Sequence, residues 1–158
     1  MSDHCTGCGP DDGRRRFILA ATGLAFAAAL PMRLLHALER RGQRVNYPLP
    51  AADSVSIDTE NQVILVRWEG KVYAFNLSCP HQNTALRWQE GEKRFQCPKH
   101  KSRYEPDGTF ISGRATRGMD RLAIHREGAG VAVDVDTMFK QDEDRAGWDA
   151  AVVVLSTG

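Results

Sequence analysis

Ser78-Cys79-Pro80-His81 and, fifteen residues after it, Cys97-Pro98-Lys99-His100 decide how this 158-residue chain is read. Each segment sets a cysteine two or three positions before a histidine, so each delivers one thiolate and one imidazole to the same place. Four cysteines in an exported chain would ordinarily suggest disulfides. The histidine close behind each of Cys79 and Cys97 points to metal ligation instead. A zinc finger of the Cys2His2 kind pairs its two cysteines together and its two histidines together. The order here is Cys-His-Cys-His with one residue in the first gap, which does not fit that template.

The pattern resembles the cluster-binding motif of the Rieske [2Fe–2S] family, and the likeness extends over roughly residues 50–136. It implies a cluster in which two imidazoles replace two thiolates on one iron, which raises the reduction potential. By that resemblance Cys79 and Cys97 bind one iron, and His81 and His100 bind the outer one. Imidazole ligands can also gain or lose a proton, so electron transfer can be coupled to proton transfer, as quinol oxidation requires. High-potential members place a serine and a tyrosine two and four positions after the second histidine. Ser102 and Tyr104 occupy those positions. The resemblance implies that their hydroxyls donate to a bridging sulfide and a cysteine sulfur, stabilising the reduced cluster.

Departures from the family pattern are equally specific. Thr84 and Lys99 stand where quinol-oxidising members carry a second pair of cysteines, so the usual loop disulfide cannot form. Lys101 replaces a small glycine. Gly113-Arg114-Ala115-Thr116-Arg117 lacks the prolines that stiffen the third loop. The cluster end is expected to be more basic and more mobile than in a standard subunit. Lys99, Lys101, Arg103 and Arg114 are either a steering surface for an acidic electron partner or plain solvated charges.

Around the motif, short β-branched runs alternate with turn signals. Ser54–Ile57, Gln62–Trp68 and Lys71–Asn76 read as strands, with Glu69-Gly70 as a turn. Arg121–His125 and Gly130–Val135 flank a hairpin turn at residues 127–130. The expected fold is all-β: a Rieske-type antiparallel β-sandwich with a cluster-binding subdomain, preceded by a helical N-terminal signal or anchor. The expected divisions are residues 1–38 for that segment, 39–50 for a polar linker, 51–136 for the Rieske domain and 137–158 for a C-terminal extension. The apolar run Ala150–Leu155 is expected to pair back onto the sheet, with a partner contact as the alternative.

Arg14-Arg15-Arg16-Phe17 followed by an Ala/Leu/Phe-rich run resembles a twin-arginine (Tat) export signal. That route carries folded cargo, as a protein loaded with its cluster in the cytoplasm must be. Ala27-Ala28-Ala29 offers a cleavage site, while an apolar stretch reaching Leu38 would serve as a retained anchor. Cys5 and Cys8 lie in a Gly- and Asp-rich tail that reads as a solvated end.

Net charge is +1, and residues 45–158 hold 14 basic and 16 acidic side chains. No basic stripe of the kind that tracks a phosphate backbone is present, so nucleic acid is not expected as a partner. No mononuclear iron triad and no flavin site accompany the motif, so any substrate chemistry belongs to partners. The expected function is one-electron transfer, on the periplasmic side of the cytoplasmic membrane, in a quinol-oxidising bc1-like complex that delivers to a c-type cytochrome. The alternative is the relay subunit of a periplasmic oxidoreductase with its own catalytic subunit. A dioxygenase-type Rieske ferredoxin is disfavoured by the export signal and by Ser102 and Tyr104.

Overall fold

The β-branched runs become strands with almost the expected limits. The computed structural model describes residues 42–155, so the readings of residues 1–38, including Cys5 and Cys8, lie outside the described residues. In chain order the strands are β1 (Arg44–Pro48), β2 (Ser54–Asp58), β3 (Val63–Trp68), β4 (Lys71–Asn76), β5 (Arg87–Gln89), β6 (Arg94–Gln96), β7 (Arg103–Tyr104), β8 (Phe110–Ser112), β9 (Arg121–Glu127), β10 (Gly130–Phe139) and β11 (Val153–Val154). A short helix, α1 (Arg145–Ala150), precedes the last strand. No helix among the described residues is long and apolar enough to cross a membrane.

Seven strands form one antiparallel sheet in the order β1-β10-β9-β4-β3-β2, with β11 also paired to β4. The two ends of that order are drawn together. Tyr47 on β1 donates its hydroxyl to Asp58 on β2 at 2.9 Å, and Arg67 on β3 donates to the carbonyl of Pro50. The sheet therefore curls around a core of Val63, Leu65, Val72, Ala74, Leu122, Ile124, Val131, Val133 and Val153. The alternate residues of β3 and β4, Ile64, Val66, Tyr73 and Phe75, face the other way. Both faces of this hairpin are buried, which explains its unbroken apolar run. Its turn, Glu69-Gly70, has positive φ at both residues (49° and 73°), which matches the right-handed twist of the strands it joins.

A second antiparallel sheet, β5-β6-β7-β8, is inserted between β4 and β9. Its underside contributes Leu86, Phe95, Tyr104 and Met119 to the core formed with Phe75 and Tyr73. The insertion leaves and returns at one rung: Phe75 pairs with Arg121, and the Asn76 amide donates to the Asp120 carbonyl at 3.0 Å.

The folded unit is wider at both ends than residues 51–136. Residues 44–48, read as the end of a linker, form an edge strand on β10, with Val45 and Tyr47 turned inward. The flanking prolines hid a five-residue alternation, and Pro48 is tolerated because it ends an edge strand. Of the segment read as a C-terminal extension, residues 137–155 are likewise not outside the core. β10 continues to Phe139, Asp144 caps α1 through the Gly147 amide, and β11 pairs with β4 as expected. Trp148 of α1 is buried and donates its indole N–H to the Met119 carbonyl at 2.7 Å. Arg121 locks these parts together. Its guanidinium donates to the carbonyls of Trp148 and Asp107, both at 2.8 Å, and lies 3.5 Å from the Trp148 ring centre.

Candidate metal centre

Two loops of the inserted sheet are built to one plan. In the first, the Cys79 amide donates to the Thr84 carbonyl and the Asn83 amide donates to the Cys79 carbonyl, each at 2.9 Å. In the second, the Cys97 amide donates to the Ser102 carbonyl at 2.8 Å and the Lys101 amide to the Cys97 carbonyl at 3.0 Å. The fifth residue of each loop is left-handed, with φ of 48° at Asn83 and 60° at Lys101. The usual small residue at the Lys101 position thus has a conformational reason: a side chain there is disfavoured by about 1 kcal/mol against glycine. Lys101→Gly is expected to stabilise the domain by about 0.5–1 kcal/mol, read from the urea midpoint at unchanged slope.

The plan places both cysteines at the loop bases, where Cys79 and Cys97 are 0% and 1% exposed. The histidines lie at the partly exposed tips. His81 Nδ1 and His100 Nδ1 approach to 3.1 Å, with the ring centres 4.6 Å apart. Partial burial first, then the neighbouring His81, Lys99 and Arg114, hold His100 below the ordinary imidazole range. Such an imidazole is neutral near pH 7 and free to act as a ligand.

Tyr104 is wholly buried, and its Oη lies 3.3 Å from Cys79 Sγ. Burial, reinforced by the two cysteines, pushes its phenol far up, so it stays protonated and is a donor to a thiolate. Ser102 is also fully buried. Its Oγ accepts from the Arg114 amide at 3.1 Å and the Ala115 amide at 3.0 Å. With both lone pairs engaged, its own proton is left to donate. These two bonds tie the third loop to the second without the prolines expected to stiffen it. Gly113 completes the join, since a Cβ there would lie 2.4 Å from Ser102 Cα. Sequence reading missed this role; a glycine directly after a strand and before two loop amides was the available signal.

The donor set fits a two-iron cluster better than a single metal ion. Two buried thiols and two imidazoles with converging Nδ1 atoms would supply two protein ligands for each of two irons. Among the described residues no three His, Cys, Asp or Glu side chains gather at one point, as a four-ligand zinc site requires. Thr84 and Lys99 occupy the two loops as threonine and lysine, and Cys79 and Cys97 are both free thiols.

Comparison with known proteins adds to this geometry. The profile of the Rieske [2Fe-2S] domain matches residues 46–126. The cytochrome b6-f complex iron-sulfur subunit of Synechococcus sp. (strain JA-3-3Ab) is 34% identical over 59 residues, 37% of this chain and 34% of that one. The cytochrome b6-f complex iron-sulfur subunit 1 of Synechocystis sp. is 35% identical over 54 residues, 33% of this chain and 30% of that one. The chain thus spans about a third of the length of these curated relatives. Among solved structures, the cyanobacterial plasma membrane Rieske protein PetC3 from Synechocystis PCC 6803 aligns with a TM-score of 0.47 at 23% identity. That alignment covers 56% of this chain and 97% of that one. With a family profile that covers about half the sequence, the chain belongs to the Rieske [2Fe-2S] family, and its cofactor is a Rieske-type [2Fe–2S] cluster.

Proposed function

We propose that Cys79 and Cys97 hold one iron of the cluster, that His81 and His100 hold the other, and that the protein passes single electrons. The observation that carries this reading is the approach of the two Nδ1 atoms to 3.1 Å in loops whose cysteines are buried. When bound, the cluster supplies a one-electron couple whose potential lies above that of all-cysteine clusters. The chain's own residues bias that couple. Tyr104 donates to the Cys79 sulfur and Ser102 offers its remaining proton, and both favour the more negative, reduced state. His81 and His100 are each partly exposed at the loop tips.

The fuller reading places the protein on the periplasmic side of the cytoplasmic membrane, exported by the Tat route and either anchored or released by cleavage. There it takes electrons from quinol-oxidising subunits of a bc1-like complex and delivers them to a c-type cytochrome. Arg14-Arg15-Arg16-Phe17 and the Ser102/Tyr104 pair support this. The absent loop disulfide favours a second reading, relay for a periplasmic catalytic subunit. Isolation of the native complex separates them: cytochrome b in the complex supports the first, a soluble catalytic subunit the second.

Redox titration tests the site itself. Tyr104→Phe is expected to lower the midpoint potential by about 40–60 mV. This is the one-electron equivalent of losing roughly 1–1.4 kcal/mol of preference for the reduced state. An unchanged potential would remove Tyr104 from the tuning set.

A further inference from the structure

The three loops at the cluster end, residues 78–86, 97–104 and 112–119, contain Lys99, Lys101, Arg103, Arg114 and Arg117 and no aspartate or glutamate. The rest of the described chain carries ten basic and sixteen acidic residues. The described residues are thus polarised, with their positive pole at the end that bears the proposed cluster ligands. Arg117 is neutralised by Asp120 at 2.8 Å and Asp142 at 3.1 Å. Among the described residues Lys99, Lys101, Arg103 and Arg114 make no ion pair, and Lys99, Lys101 and Arg114 are exposed.

Lys101 adds an independent observation. It keeps a cationic side chain at a φ of 60°, where glycine would be less strained. The charge at this position is therefore not one that backbone stability selects.

We propose that this end is the docking surface for an acidic protein face, that of a redox partner whose own centre is ringed by aspartate and glutamate. The inference rests on the cluster assignment above. Unpaired cations around an otherwise acid-free tip attract such a face over about 10 Å at 0.1 M salt, and over about 30 Å at 0.01 M. They would repel a basic partner.

The test mixes the reduced holoprotein with two c-type cytochromes of matched potential, one acidic and one basic, in stopped flow across that salt range. With the acidic cytochrome the rate constant should fall about 10-fold or more as salt rises. The Lys99→Glu/Arg114→Glu variant should lose a similar factor at low salt and converge on the parent at high salt. The basic cytochrome should show the opposite salt trend. Lys71→Glu, at the far end of β4, should change the rate less than about 2-fold. Midpoint potentials of all variants are measured so that rates are compared at equal driving force. Lys101→Gly should gain stability and lose rate with the acidic partner alone.

A salt-independent rate, or equal effects of tip and control variants, overturns the proposal. So does salt-independent kinetics together with sedimentation on anionic lipid vesicles that the double variant abolishes, which would make the pole a membrane contact. Failure of the cluster assignment is seen separately, as a purified protein without iron or the EPR signal of a His-ligated [2Fe–2S] cluster.

Discussion

Alanine in place of His100 is expected to leave a folded domain without its cluster. The imidazole belongs to neither apolar core, and among the described residues its side chain hydrogen-bonds to His81. Its removal therefore takes almost nothing from packing, and the two hydrogen bonds that shape its loop run between backbone atoms of Cys97, Lys101 and Ser102. On the proposed assignment, an iron that needs two protein ligands beyond its sulfides would keep only one. Loss of an outer-shell partner already weakens metal sites about 10–100-fold, and loss of a ligand should exceed that. Iron per protein and the visible absorption of the cluster should collapse, while the circular dichroism of the β-fold persists. His81→Ala should do the same. Full iron content in either variant would break the ligand assignment.

Gly113→Ala is expected to be the most damaging single methyl group. A Cβ at this position meets Ser102 Cα at 2.4 Å, Ser102 N at 2.8 Å and Lys101 O at 3.0 Å, all of them backbone atoms that cannot swing aside. The residue also has a φ of 114°, outside the range that a side chain tolerates. Strain and overpacking together should destabilise by about 3 kcal/mol or more. Gly128→Ala is the control: its φ is 54°, but nothing lies within 4 Å of the new methyl. That change should cost about 1 kcal/mol, so the excess at Gly113 isolates the contact with the second loop. Urea denaturation measures both. Because the third loop can relieve the clash only by moving off Ser102, the midpoint potential of any folded Gly113→Ala protein should shift too. A cost equal to that of Gly128→Ala would show that the loops are not held together here.

What was legible in the sequence follows from length and period. β2, β3, β4, β9 and β10 were readable because each holds five or more residues with an apolar alternation or run. β5 to β8 hold two or three residues apiece, too few for any periodicity, and they exist because the loops they carry pack over Phe75 and Phe95. α1 leaves no periodicity to read because six residues give less than two turns of helical pattern; its Asp144 cap was the available sign. In the site, residue types and spacing singled out Cys79, His81, Cys97 and His100 as candidates, and the family resemblance added Ser102 and Tyr104. They did not show that Ser102 accepts from the Arg114 and Ala115 amides, since that contact joins loops brought together only by the fold. Nor did they show why Lys101 is unusual, which depends on a backbone angle.

The single rung at which the inserted sheet leaves and rejoins the body, Phe75 opposite Arg121, makes the segment between them a cassette. Its loops can be lengthened, shortened or recharged without shifting the register of any strand in the seven-stranded sheet, because both of its ends are already fixed beside each other. What the cassette must preserve is its apolar underside, where Phe95 meets Phe75 edge-on at 6.2 Å between ring centres. The residues proposed to tune the cluster and to meet a partner thus lie in one exchangeable piece of chain, and the architecture that carries it lies in another.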